Sequence, residues 1–301
     1  MMAWSAAVSA QQPAPSSDPA SDLIRQAQQK MREGQDDDAI AVARRAVDAS
    51  PSSYQAVNQL GALLDLAGRY KDARDAFAKA HDLAPTPENK ARALRAIAIS
   101  YGFERDCSGA ARYEEPLYRQ YLDAKDFYNA GEVANELARL CLDAGAIDEA
   151  ERWYRAGTEA GLREPGITKE RKDLWQYRLE HALARIAAKR GNKAEAERRI
   201  LAAQALLDRG NMPAQQKEYF PYLVGYVALA GGEYQKALAN LQQANQNDVY
   251  VLGLTAQAFE RLDQRDKAVE YYRKVMASTI HNPTAAASRP LARQKLAALS
   301  R

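Results

Sequence analysis

Residues 57–85 read VNQLGALLDLAGRYKDARDAFAKAHDLAP, and this stretch decides the fold. Gly61 lies on an apolar stripe of helical period, Ala73 follows twelve residues later, and Gly68 between them signals the end of one helix and the start of another. Phe77 and Ala80, four and seven residues beyond Ala73, extend the stripe of the second helix. Two antiparallel helices crossing about 8 to 10 Å apart need small side chains at their closest approach, and Gly61 and Ala73 supply them. The stretch is expected to fold as a helical hairpin.

The same pair of small residues, twelve apart, recurs seven times: Ala27/Ala39, Gly61/Ala73, Ala98/Ala110, Ala138/Ala150, Ala184/Ala196, Gly225/Ala237 and Ala256/Ala268. Gly34, Gly68, Gly145, Gly191 and Gly231-Gly232 mark the turn inside five of these units. Four residues after the second small residue come Ala43, Phe77, Tyr154, Ile200, Leu241 and Tyr272, and Glu114 breaks the series, so the third unit is the most degenerate.

With Leu60-Gly61, Tyr70, Ala73, Phe77, Ala80 and the closing Pro85, the second unit resembles a tetratricopeptide repeat; the first unit, closing at Pro51, and the sixth resemble it too. The resemblance covers residues 20–282 and implies an all-α, right-handed superhelical solenoid of about seven hairpins, its concave groove lined by the first helix of each pair. The units are expected near 20–53, 54–87, 88–125, 126–162, 170–209, 213–247 and 248–282, and residues 283–301 as a C-terminal capping helix presenting Ala292, Leu296 and Leu299 on one face. The second-helix alanines are spaced 34, 37, 40, 46, 41 and 31 residues apart, against a family period of 34. The widest step contains GLREPGITKERKD, where a loop or helix extension is expected to interrupt the curvature.

Composition agrees with a water-exposed helical array, at 47% apolar and 27% charged residues. A net charge of +3 is far below the excess expected of a chain that neutralises phosphates, which argues against nucleic acid as partner. The opening MMAWSAAVSA is an apolar run ending in small residues, read as the remnant of an export signal or a misplaced start, and QQPAPSSDPASD after it as a Pro- and Ser-rich linker; residues 1–19 are set aside from the repeats on this basis. The expected compartment is periplasmic or extracellular, with cytoplasmic as the alternative, and no stretch is apolar for long enough to span a bilayer.

No catalytic constellation is legible. His81, His181 and His281 are isolated, neither a nucleophile elbow nor a phosphate-binding glycine loop is present, and no metal or cofactor is expected. The two cysteines fall at ends that stacked hairpins bring side by side: Cys107 opens the second helix of unit three and Cys141 lies near the end of the first helix of unit four. They read equally as a disulfide or as two small buried thiols.

By the geometry the resemblance implies, groove-facing residues lie six and three before, and one and four after, each first-helix small residue. This places Asn58, Arg92, Arg95, Asn135 and Arg139 in one half of the stripe and Arg178, His181, Arg185, Tyr219, Tyr222, Tyr226 and Tyr250 in the other. Asn can bond an extended backbone, Arg can fork onto a carboxylate, and Tyr gives a large contact area. Residues 163–199 carry eleven basic and six acidic residues, more than the excess of the whole chain. The expected function is a non-catalytic scaffold holding a protein or peptide segment that is acidic or carboxylate-ended; the alternative is an oligomerising accessory subunit of an envelope-assembly or enzyme complex. The carboxylate-clamp spacing known in the resembling family is not reproduced, so its chaperone-tail specificity does not carry over.

Overall fold

A computed structural model describes residues 19–299. Within them the chain forms seven helical hairpins: α1 Pro19–Arg32 with α2 Asp36–Ala49, α3 Tyr54–Ala67 with α4 Tyr70–Leu83, α5 Pro87–Phe103 with α6 Cys107–Asp123, α7 Phe127–Ala144 with α8 Ile147–Leu162, α9 Lys169–Lys189 with α10 Lys193–Asp208, α11 Tyr219–Ala230 with α12 Tyr234–Leu241, and α13 Val249–Arg261 with α14 Arg265–Ala277. A last helix, α15 Pro283–Leu299, follows. The expected signal remnant falls in residues outside those described, and the end of the expected linker, 19–22, is already the first turn of α1.

The hairpins close where the small residues predict. All the paired alanines and glycines are buried, and a Cβ on Gly61 would stand 2.6 Å from the Phe77 ring. Phe77, Tyr272 and Leu241 are themselves fully enclosed, so each fills the space that its partner helix leaves open. Ser53, Thr86, Asp106, Asp126, Thr168 and Asn192 accept hydrogen bonds from backbone amides in the first turn of the helix that follows each, satisfying donors that a helix start leaves free. Gly68 ends α3 at φ +87°, a left-handed conformation that costs a residue without a Cβ nothing. Unit three has no glycine at that turn, and Arg105 takes the same conformation at φ +58°.

Glu114 stands where the other units place an apolar or small residue, and it is fully buried. Burial, with the Glu136 carboxylate adding repulsion, holds its carboxyl well above the ordinary 4.5.

The long spacing before unit five has a packing cause. Trp175, 1% exposed, lies against Gly131 and Gly161, and a Cβ on Gly161 would stand 2.1 Å from the indole. The indole Nε1 donates to Glu164 at 2.9 Å, and Arg171 bonds the same carboxylate. The extra residues thus build a longer α9 whose first turns carry a tryptophan wedge.

Odd-numbered helices touch one another along the array, α1 with α3, α3 with α5, α5 with α7, α9 with α11 and α11 with α13, as the inner helices of a curved solenoid do. The inner series loosens between α7 and α9, beside the wedge.

The last helix does two things. Ala292, Leu296 and Leu299 cover the seventh unit against Leu252, Phe259 and Tyr272, as a cap would. In addition α15 reaches α5 and α7, and Ala285 and Ala286 share a core with Met31, Leu63, Leu66, Ile99 and Phe103 of the first three units. Arg289, 2% exposed, donates to the Leu66, Met276 and Ser278 carbonyls at 2.6–2.9 Å, capping the ends of α3 and α14 together. Burial pushes its guanidinium down to about 10. His281 bonds the buried Asp65 at 2.7 Å and packs on Phe77 and Phe103. The C-terminal turns of the inner helices α3 and α5 are therefore covered by the chain's own C-terminal segment.

Candidate partner-binding site

The structure divides the expected stripe into two groups. Asn58 and Asn135 are half-buried, and Arg92 and Tyr219 exposed, along the half of the stripe that α15 leaves uncovered. Arg95 forks onto Glu136 with bonds of 2.9 and 2.6 Å, and Arg178 is paired with Glu132. The basic centre read from the sequence is thus largely neutralised by carboxylates on α7.

The second group converges. The half-buried Arg139 on α7 joins the buried His181 and Arg185 on α9, Tyr222 and Tyr226 on α11 and Tyr250 on α13 in one cluster on the inner face. Helical period explains it: residues one and four after the small residue of each first helix point inward, so Arg139, Arg185 and Tyr226 share a level across three helices. The Arg139 guanidinium lies 4.2 Å over the Tyr250 ring and bonds Asp143 at 3.0 Å, and the Tyr250 hydroxyl donates to the same carboxylate at 2.7 Å. Arg185 donates to the Tyr154 hydroxyl at 3.1 Å and to the His181 carbonyl at 3.4 Å. His181 sits between Tyr177 and Tyr222, and burial, then the nearby Arg185, holds it well below 6.5, so it is neutral at physiological pH. Burial likewise raises the Tyr222, Tyr226 and Tyr250 hydroxyls above 10.0 and keeps them protonated.

Beside the cluster opens a cleft of about 720 Å³ between α11, α13 and α15, with Asp143, Tyr226 and Tyr250 lining both. Its rim carries Arg105, Lys189, Arg261 and Lys295. Lys295 is paired with Glu260 at 2.6 Å, whereas Arg105, Lys189 and Arg261 are exposed and have no carboxylate within 4.0 Å among the described residues. Of the acids on the lining, Glu260 and Asp143 are engaged by neighbours, leaving Asp263 as the one without an ion pair.

Sequence reading missed Asp143, Tyr154 and the rim cations. Asp143 was within reach, one turn beyond Arg139 on the same helix, where an ion pair is the expected arrangement. The rim was not, because Arg105 lies in the turn after α5, Lys189 at the end of α9 and Arg261 at the end of α13, and they meet around one cleft only in the folded array.

The structure joins Cys107 and Cys141 by a disulfide with Cα atoms 4.6 Å apart, tying the start of α6 to the end of α7. Among the described residues no cluster of His, Cys, Asp and Glu is placed to hold a metal ion, and no helix is long and apolar enough to cross a membrane.

No protein-family model matches the sequence, and none of the curated proteins compared is similar to it. Among solved structures the chain is similar to a tetratricopeptide repeat protein from Parabacteroides merdae, with 14% identity over 94% of this chain and 99% of that one and a TM-score of 0.46. It is also similar to a chain of the APC/C Cut9–Hcn1 hetero-tetramer, with 15% identity over 90% of this chain and a TM-score of 0.43; it spans 48% of that chain's length. By its own helices the chain is an α-solenoid of seven tetratricopeptide-like hairpins whose final helix returns to the inner face.

Proposed function

We propose that the chain is a non-catalytic protein-interaction scaffold that holds an acidic, carboxylate-ended partner segment in the cleft between α11, α13 and α15. The carrying observation is the rim: three exposed cations without a carboxylate partner among the described residues, Arg105, Lys189 and Arg261, around a cleft floored by Tyr226 and Tyr250. Unpaired surface cations attract an acidic segment at a distance, and the tyrosines offer it contact area at little entropic cost. Arg139, His181, Arg185 and Tyr222 stand behind that floor and complete the site, while Asn58, Arg92, Arg95, Asn135, Arg178 and Tyr219 form a second band of contacts along the uncovered inner face. The Cys107–Cys141 bond fits an oxidising compartment, in keeping with an exported protein.

Fluorescence anisotropy with labelled ten-residue peptides ending in acidic residues tests this. The full chain is expected to bind acidic peptides in preference to basic ones, and Lys189→Glu with Arg261→Glu to weaken binding at least about tenfold, as two reversed contacts worth 1.4 kcal/mol or more together would. Equal affinity in the wild type and the double variant would remove the cleft from consideration.

A further inference from the structure

The cluster behind the cleft contains a charge that the protein does not balance. Arg139 has Asp143 as its counter-ion, but Arg185, only 4% exposed, has no carboxylate within 4.0 Å among the described residues. Its Nη1 has no hydrogen-bond partner, and neither have the buried Tyr222 hydroxyl, the buried Tyr226 hydroxyl or the His181 Nε2. The groups packed together in the cluster are Arg139 and Asp143 from α7, Tyr154 from α8, Tyr177, His181 and Arg185 from α9, Tyr222 and Tyr226 from α11, and Tyr250 from α13. With His181 neutral and the phenols protonated, their net charge is one positive unit. A buried guanidinium without a counter-charge, beside hydroxyls with nothing to bond, is an arrangement proteins avoid unless something completes it.

We propose that this cluster is a carboxylate-binding site, in which Arg185 and the Tyr222 and Tyr226 hydroxyls receive one carboxylate group that enters from the cleft. The match is one of number and charge. A carboxylate accepts at two oxygens from several donors, which suits one guanidinium N–H and two phenols, and its single negative charge balances the single uncompensated positive one. A phosphate monoester would bring nearly twice that charge. Tyr226, Tyr250 and Asp143 belong to both cleft and cluster, so the proposed route to Arg185, which lies behind that wall, passes between these side chains. The inference rests on the reading of the cleft as a docking surface in that the carboxylate is supplied by the end of the bound segment; a free small acid carries the same group and would use the same donors.

The test uses the full chain with its disulfide intact. Melting curves are recorded against acetate and against inorganic phosphate at constant ionic strength, with chloride as the balancing anion. In parallel, calorimetry compares an acidic peptide with a free C-terminus and the same peptide amidated. Expected are a saturable rise in melting temperature with acetate and about tenfold tighter binding of the free-ended peptide than of its amide, the ratio given by 1.4 kcal/mol for the carboxylate contact. Both effects should be lost in Tyr222→Phe/Tyr226→Phe, which keeps every ring and changes no charge, and in Arg185→Gln. No response to acetate together with equal binding of the two peptides would overturn the site, and so would a stronger response to phosphate than to acetate. Equal binding of both peptides at the rim would leave the cleft reading standing without this site. Acetate binding with no peptide binding would support the site and remove the cleft as a docking surface.

Discussion

The two halves of the inner face bury similar groups and treat them differently. In the first half, Asp65 bonds both His281 and Ser100 at 2.7 Å, and Arg289 satisfies three carbonyls at once. In the second, Arg185, Tyr222, Tyr226 and His181 each keep a buried polar atom without a partner. A satisfied buried network specifies and holds a structure, whereas an unsatisfied one raises the free energy of the empty state and lowers it on binding. Asn58 Oδ1 and the Glu114 oxygens show that the first half has orphaned atoms too, but only the second gathers several around a buried guanidinium, which is why we place the incoming carboxylate there and read α15 as the closure of the first half.

The largest expected effect lies in the closed half. Arg289→Ala leaves the Leu66, Met276 and Ser278 carbonyls without their donor and opens a gap under α15, and should lower unfolding free energy by about 3 kcal/mol or more. Arg185→Met, of similar shape, removes an unbalanced charge and should leave stability unchanged or raise it by about 1 kcal/mol, while abolishing acetate binding. Urea denaturation of both variants measures the difference, and comparable losses at the two positions would erase the contrast between the halves.

The disulfide comes next. It closes a loop of 34 residues in sequence, so Cys107→Ser/Cys141→Ser should cost on the order of 3 to 4 kcal/mol by the loop-entropy estimate. Mass spectrometry of unreduced protein gives the direct check, since two free thiols in material from an oxidising compartment would contradict the bond.

Glu114 tests how a buried acid behaves where no ligand is involved. Its folded-state proton affinity exceeds the unfolded value of 4.5, so the native state binds more protons above that pH and stability falls as pH rises from there toward neutrality. Glu114→Gln should remove that part of the decline, and superimposable stability–pH curves for wild type and variant would show that the carboxyl is not protonated in the folded chain.

The smallest effects separate strain from function. Arg105 and Lys125 both hold left-handed backbone, at φ +58° and +57°, and glycine at either position should add about 1 kcal/mol of stability. Only Arg105 lies on the cleft rim, so Arg105→Gly should also weaken acidic-peptide binding, whereas Lys125→Gly should leave it unchanged. Equal affinity in the two variants would remove Arg105 from the docking surface.

The hairpins were legible in the sequence because the small-residue spacing is a local requirement of two crossing helices, met by Gly61 against Phe77 and by Gly225 against Leu241. Inward-facing positions were legible for the same reason, which is why Arg139, Arg185, Tyr222, Tyr226 and Tyr250 fall in one cluster. What periodicity cannot carry is contact between units far apart in the chain. Tyr250 with Asp143, Arg289 with Leu66 and His281 with Asp65 join residues 107, 223 and 216 positions apart, and no repeat pattern encodes them. For that reason α15 was readable as a cap on unit seven but not as the occupant of the first three units, and the arginines of the middle units were readable as a basic stripe but not as partners of Glu132, Glu136 and Asp143.

Hydrogen exchange with and without a saturating acidic peptide ending in a free carboxylate tests the division most directly. Slowed exchange centred on α11, α13 and the facing turn of α15, with the C-terminal turns of α3 and α5 that α15 covers unchanged, is the expected pattern. Protection appearing in those covered turns while α15 exchanges faster would show that the partner displaces the C-terminal helix and binds in its place, which contradicts this division.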